Sequence, residues 1–120
     1  MQAQIRIALA GGGGAEDSRL LDQVFAGWIG PQGRLLYWPV ALHGTRSFQS
    51  CLDWITATFE PHGITNITMW TELSEHLAEE LDEFDAVYIS GGNTYFLLAQ
   101  LLQSNFERHL REYIARGGAV

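Results

Sequence analysis

A chain of 120 residues with 47% apolar and 18% charged residues has the make-up of one globular domain and excludes extended disorder. The net charge of −7 sets 14 acidic residues against seven basic ones, every one an arginine, which argues against nucleic acid or an anionic membrane as partner; a phosphate-binding face needs clustered cations. Cys51 is the single cysteine, so no intrachain disulfide can form and a cytoplasmic setting is the simplest. Met1 to Ala10 holds too short an apolar run for a secretory signal, and no stretch approaches the ~20 apolar residues of a membrane span.

In chain order, Ile5 to Ala10 reads as a strand that ends in Gly11, Gly12, Gly13 and Gly14. Leu20, Leu21, Val24, Phe25 and Trp28 follow at helical spacing, with Asp17 or Ser18 as the expected cap. Leu35 to Val40 is a nearly continuous apolar run, the pattern of a strand buried on both faces, and Phe48, Cys51, Leu52, Ile55 and Phe59 form the next helical stripe. Pro61 and Gly63 stop that helix, Ile64 to Trp70 reads as a third strand, and Glu72 to Glu83 is a short acidic helical segment with a solvated face. Ala86 to Ile89 is the fourth strand. It breaks into Ser90, Gly91, Gly92, Asn93 and Thr94. Tyr95, Leu98, Leu101 and Leu102 then form one helical face, and Phe106, Leu110, Tyr113 and Ile114 another, with Ser104 or Asn105 as the cap between them.

Strands alternating with amphipathic helices imply a doubly wound, mostly parallel α/β sheet sandwiched by helices, of the flavodoxin-like or class I glutamine amidotransferase-like three-layer kind. In such a sheet ligands bind beyond the carboxyl ends of the strands, so the loops of interest are Gly11–Gly14, Pro39–Thr45, Thr71–Ser74 and Ser90–Thr94. The first glycine loop fails as a phosphate site. In the G-x-G-x-x-G frame the third required position falls on Glu16 or Asp17, and no lysine exists to complete a P-loop. Both acids would also hold the positive field of the following helix start.

The turn after Ala86–Ile89 is the stronger candidate. Bare glycine amides there can bind an oxyanion, and one helical segment later Arg116, Gly117, Gly118, Ala119 and Val120 open another strand. With Ile5–Gly14, Trp38-Pro39-Val40-Ala41 and Tyr88-Ile89-Ser90-Gly91-Gly92-Asn93-Thr94, this string resembles peptidase family S51, the peptidase E or aspartyl dipeptidase family of serine peptidases. The resemblance spans essentially this whole chain and about the first half of a family member, so residues 1–120 are expected to be the amino-terminal half of a longer catalytic domain. It implies that a backbone amide of Gly91-Gly92 contributes to the oxyanion hole and that Asn93 and Thr94 border the substrate pocket. It also implies a Gly-x-Ser-Ala-Gly elbow with the nucleophile beyond Val120, and a His and an acidic partner further downstream. The related cyanophycin-degrading enzymes usually carry an acidic residue and Gln where this chain has Asn93 and Thr94, which points to a small-peptide substrate. The implied activity is hydrolysis of a dipeptide with an acidic amino terminus through an acyl-enzyme, with no cofactor, and residues 1–120 by themselves are expected to be inactive.

Other polar residues carry less. Cys51 sits on an apolar stripe as a buried thiol, His43 is a loop residue, and His62, His76 and His109 show no metal-ligand spacing. Ser90 has no adjacent base and is not the expected nucleophile. Two other classes share the pattern: a class I glutamine amidotransferase domain, with Cys at the elbow, and a non-catalytic flavodoxin-like binding module.

Overall fold

The computed structural model describes residues 4–120. The apolar run after Gly33 forms β1 (Arg34–Trp38), and Leu35, Leu36, Tyr37 and Trp38 are all buried. A strand buried on both faces belongs at the centre of a covered parallel sheet. β2 (Asn66–Met69) and β3 (Ala86–Ile89) flank it, both parallel to it, in the order β2-β1-β3. The register sets Leu36 opposite Thr68 on one side and Val87 on the other.

Strand alternation divides the core in two. Leu35 and Tyr37 pack with Phe25, Ala26 and Ile29 of α1 (Arg19–Ile29) and Cys51, Ile55 and Phe59 of α2 (Phe48–Phe59). Leu36 and Trp38 face the other way, against Leu73, Leu81 and Phe84 and against Phe106 and Tyr113 of α4 (Phe106–Ala115). There Trp38 stacks on Trp70 with ring centroids 6.1 Å apart, and Phe106 meets both indoles edge-on. α3 (Thr94–Ser104) adds Phe96, Leu97 and Leu101 to the same layer. The result is the expected three-layer α/β sandwich.

The helix starts follow the local chemistry. At α2 the Ser47 hydroxyl oxygen accepts from the Ser50 N–H (3.1 Å), and at α3 Asn93 Oδ1 accepts from the Phe96 N–H (3.1 Å). Between α3 and α4 both expected residues act: Asn105 takes the left-handed turn at φ 65°, and Ser104 Oγ accepts from the Phe106 N–H. At α1, Ser18 precedes the helix but its hydroxyl donates to Asp22 Oδ2 (2.8 Å), so neither it nor Asp17 caps a helical N–H.

Several boundaries differ from the sequence pattern for physical reasons. Ile5–Ala10 forms no continuous strand. It makes one parallel bridge, from Arg6 to Ala119, and hydrogen bonds from the Ala8 N–H to Val120 O and from the Val120 N–H to Arg6 O. Ile5, Ile7 and Leu9 are exposed. β1 stops at Trp38 because Pro39 has no N–H to continue the ladder, and Val40–Leu42 coils into a 3-10 turn. β2 is trimmed to Asn66–Met69 and lies at a sheet edge, half-covered. Of the acidic segment only Ala78–Glu83 coils, as a 3-10 helix, and it is anchored by the fully buried Leu81. Glu80 accepts from the Leu77 N–H and pairs with His76, which together hold its carboxyl below the usual range, the Leu77 bond contributing most.

Phe59 is fully buried, with its ring 5.9 Å from that of Phe25 and 5.7 Å from that of Tyr88. Phe59→Ala is expected to cost about 3–5 kcal/mol in urea unfolding, the transfer of the ring plus the cavity it leaves.

Candidate active site

Parallel strands end on one edge of the sheet, and the loops that leave them meet there. A cavity of about 810 Å³ opens at that edge. Its wall takes Gly12, Gly13 and Gly14 from the first loop, Ser90 and Gly91 from the end of β3, and Thr45 and Arg46 from the loop after β1. Asp22 and Phe25 of α1, Cys51 and Trp54 of α2, and Tyr37 and Tyr88 of the sheet also line it, as do Ile7, Ala8, Leu9, Ala10 and Val120.

The Ser90–Asn93 turn is held at both ends by the β1 side of the fold. The Ser90 N–H donates to Trp38 O (3.1 Å) and the Asn93 N–H to Ala41 O (2.8 Å). Between them, the N–H groups of Gly91 and Gly92 have no protein acceptor among the described residues. Two consecutive free amides on a rigid turn can receive a negatively charged oxygen without reorganising. Gly92 has φ 138°, and a Cβ there would lie 2.5 Å from Ala41 O, so this position requires glycine. At Gly91 a Cβ would meet nothing within 4 Å.

The expected site residues therefore separate. Gly91 lies on the cavity wall, whereas Gly92, Asn93 and Thr94 continue away from it into the exposed start of α3. Asn93 spends its carbonyl oxygen on the helix cap, which leaves its amide NH₂ as the group able to meet a ligand. The first glycine loop turns on Gly12 and Gly13, both at positive φ, and encloses a carboxylate of its own. Asp17 Oδ2 accepts from the Gly14 N–H (2.9 Å) and sits 2.7 Å from where a Gly13 Cβ would be. A phosphate would meet that charge directly.

Sequence reasoning passed over Asp22, Arg46, Tyr37, Trp54 and Tyr88. For Asp22 a signal existed: it precedes Phe25, Ala26 and Ile29 on the buried stripe of α1, where an acid is out of place. Burial, with the neighbouring Cys51 and Tyr88, pushes the Tyr37 hydroxyl well above the usual phenol range, and burial followed by the Asp22 carboxylate raises that of Tyr88. Both phenols thus stay protonated donors at neutral pH. Cys51 is a buried free thiol on the same wall. His43 is exposed with its ring stacked on Phe96 at 5.0 Å, His62 lies by Phe59, and His109 meets Phe106 edge-on. His76 stacks on Trp70 at 3.8 Å. None of the four lines the cavity.

A glycine turn with free amides lies at the carboxyl edge of a parallel three-layer α/β sheet, and comparison with known proteins places the chain in a family. The sequence pattern of peptidase family S51 matches residues 7–120, and the chain belongs to that family. An uncharacterized peptidase of Listeria innocua serovar 6a is 35% identical over 54 residues, 45% of this chain and 26% of that protein. The crystal structure of a peptidase from an acI-B1 actinobacterium superposes with a TM-score of 0.76 at 15% identity, covering 96% of this chain and 52% of that one. A putative peptidase E protein from Listeria monocytogenes EGD-e gives a TM-score of 0.62 at 23% identity, covering 82% and 50%. The chain thus spans about half the length of the solved structures it matches, and these two likenesses speak to the fold. No helix among the described residues is long and apolar enough to cross a membrane.

The two glycines are separable by experiment. Gly92→Ala is expected to destabilise the protein by about 1–3 kcal/mol in thermal unfolding, from the strained φ and the clash with Ala41. Gly91→Ala is expected to stay within about 0.5 kcal/mol of the parent.

Proposed function

We propose that this protein is a serine-type dipeptidase that cleaves small peptides with an acidic amino-terminal residue, and that residues 1–120 supply its oxyanion turn and pocket wall. The observation that carries the reading is the pair of unpartnered amides at Gly91 and Gly92, the first of them on the cavity. The sheet register supports it. Ala119 bridges Arg6 on one side and Ala86 on the other, both in parallel, so a strand continuing in that direction runs between Ala8–Ala10 and Tyr88–Ser90. It draws level with Ser90 after advancing from Ala119 as far as Ser90 lies from Ala86. A nucleophile at the end of such a strand would face the free amides of the neighbouring turn.

In that arrangement the nucleophilic hydroxyl gives its proton to a general base as it adds to the peptide carbonyl, and the developing oxyanion is received by the turn amide. The carbonyl reforms as the amine leaves with a proton from the general acid, and water, deprotonated by the same base, hydrolyses the acyl-enzyme. The amide is worth most in the transition state, where the charge is largest. The acidic preference is supported by Arg46, a cation on the cavity wall that enters no ion pair among the described residues. The reading needs no cofactor, and its partner is a small peptide rather than nucleic acid or membrane.

Kinetics on the full-length protein with Asp-Leu test the turn. Gly91→Val puts a side chain into the space the oxyanion would occupy without the backbone clash at Gly92. It is expected to lower kcat by about 10²–10³ while KM changes little, and an unchanged kcat removes the oxyanion role. Arg46→Gln is expected to lower kcat/KM for Asp-Leu by about tenfold and to leave Ala-Leu unaffected, as for loss of one charge-assisted hydrogen bond. Equal losses on both substrates would remove Arg46 from acid recognition.

A further inference from the structure

The Gly91-Gly92 turn is fastened differently at its two ends. The bond from the Ser90 N–H to Trp38 O continues the ladder between β3 and the central strand, whereas the bond from the Asn93 N–H to Ala41 O, 2.8 Å long, rests on a 3-10 turn outside the sheet. Buried Val40 and Ala41 seat that turn on the core, and the His43 N–H closes it by donating to Val40 O (3.1 Å). The side chain that reaches from it to α3 is His43. Its ring stacks on that of Phe96, in the first turn of α3, with centroids 5.0 Å apart and planes 19° from parallel. It also meets Phe48, the first residue of α2, at 6.1 Å. Because α2 and α3 cover opposite faces of the sheet, the imidazole bridges the two helical layers at the edge where the site forms. Phe96 is in turn tied to the end of the glycine turn, since its N–H donates to Asn93 Oδ1 (3.1 Å).

Stacked rings contribute beyond the area they bury, and here the two rings join the residue that supplies the turn's last acceptor to the helix start that follows the turn. We propose that His43 is a positioning residue for the reaction: its stack on Phe96 clamps the start of α3 to the turn that carries Ala41 O, and so fixes the aim of the Gly91 and Gly92 amides. The role rests on the peptidase reading and adds to it a side chain that acts at one remove from the chemistry. None of Ala41, His43, Phe48, Asn93 and Phe96 lines the cavity, so the clamp works through the backbone and not by touching substrate. An amide displaced from the position of the developing oxyanion loses transition-state stabilisation while ground-state binding is kept. The signature is therefore a change in kcat rather than in KM.

Two measurements on the full-length protein test this. His43 is exposed, so His43→Ala leaves the core packed. It is expected to lower kcat for Asp-Leu by about three- to tenfold with KM little changed, and to speed hydrogen exchange of the Asn93 amide, followed by NMR, by a similar factor. His43→Phe restores the ring without the imidazole nitrogens and is expected to return both quantities to within about twofold of the parent. In a Phe96→Leu background, which keeps an apolar side chain toward the core but no ring, His43→Ala is expected to change neither further. Unchanged kcat or unchanged Asn93 exchange in His43→Ala, or failure of His43→Phe to restore them, overturns the proposal. Faster Asn93 exchange in His43→Ala in a protein that hydrolyses no dipeptide refutes the peptidase reading and keeps the clamp. Dipeptide hydrolysis with kcat and exchange indifferent to His43 does the reverse.

Discussion

The structure depends on burying one strand twice. Leu35, Leu36, Tyr37 and Trp38 are consecutive and all almost without solvent contact, and a strand can satisfy that only with a helical layer on each face and a paired strand at each edge. The neighbours are parallel, with α2 crossing from β1 to β2 and the 3-10 segment Ala78–Glu83 lying in the connection from β2 to β3, and the loops that leave the strands converge at one end of the sheet. The cavity exists because the strands all point the same way. Its polar groups come from residues at or just beyond the ends of elements whose packing lies elsewhere.

The turn after β3 is held in place by the core rather than by contacts of its own. Ser90 and Asn93 are tied to the Trp38 and Ala41 carbonyls, so the two glycine amides between them are fixed by the same β1 strand and following loop that build the core. Rigidity has a steric side, because Ala41 O leaves no room for a side chain at Gly92. Glycine there is demanded by backbone packing, and at Gly91 by nothing in this chain. The openness at Gly91 is thus the more informative of the two for ligand access.

Most elements were legible because their signals are local. The stripes that form α1, α2 and α4, the double-sided run of β1 and the break after Ile89 are each contained in a few neighbouring residues. The signals that misled were those needing a partner. Ile5–Ala10 has the composition of a strand, but its pairing is with Ala119, more than a hundred residues later, which no local pattern reveals. Asp17 and Ser18 both read as caps, yet the side chains turn to Gly14 and Asp22, a choice between two short hydrogen bonds that spacing alone does not decide. At the site, Gly91 was legible from its place after a strand. Arg46, Trp54 and Tyr88 were not, because what unites them is a cavity assembled from three separate crossovers.

The bridge between Arg6 and Ala119 joins segments more than a hundred residues apart. A contact of such sequence separation closes a longer loop than the pairings of β1 with β2 and β3, and its entropic cost is correspondingly larger. The segment from Ile7 to Ala10 and the residue Val120 form part of the cavity wall through that closure. The core of β1, β2 and β3 thus rests on pairings closer in sequence than the one that brings this part of the wall into place.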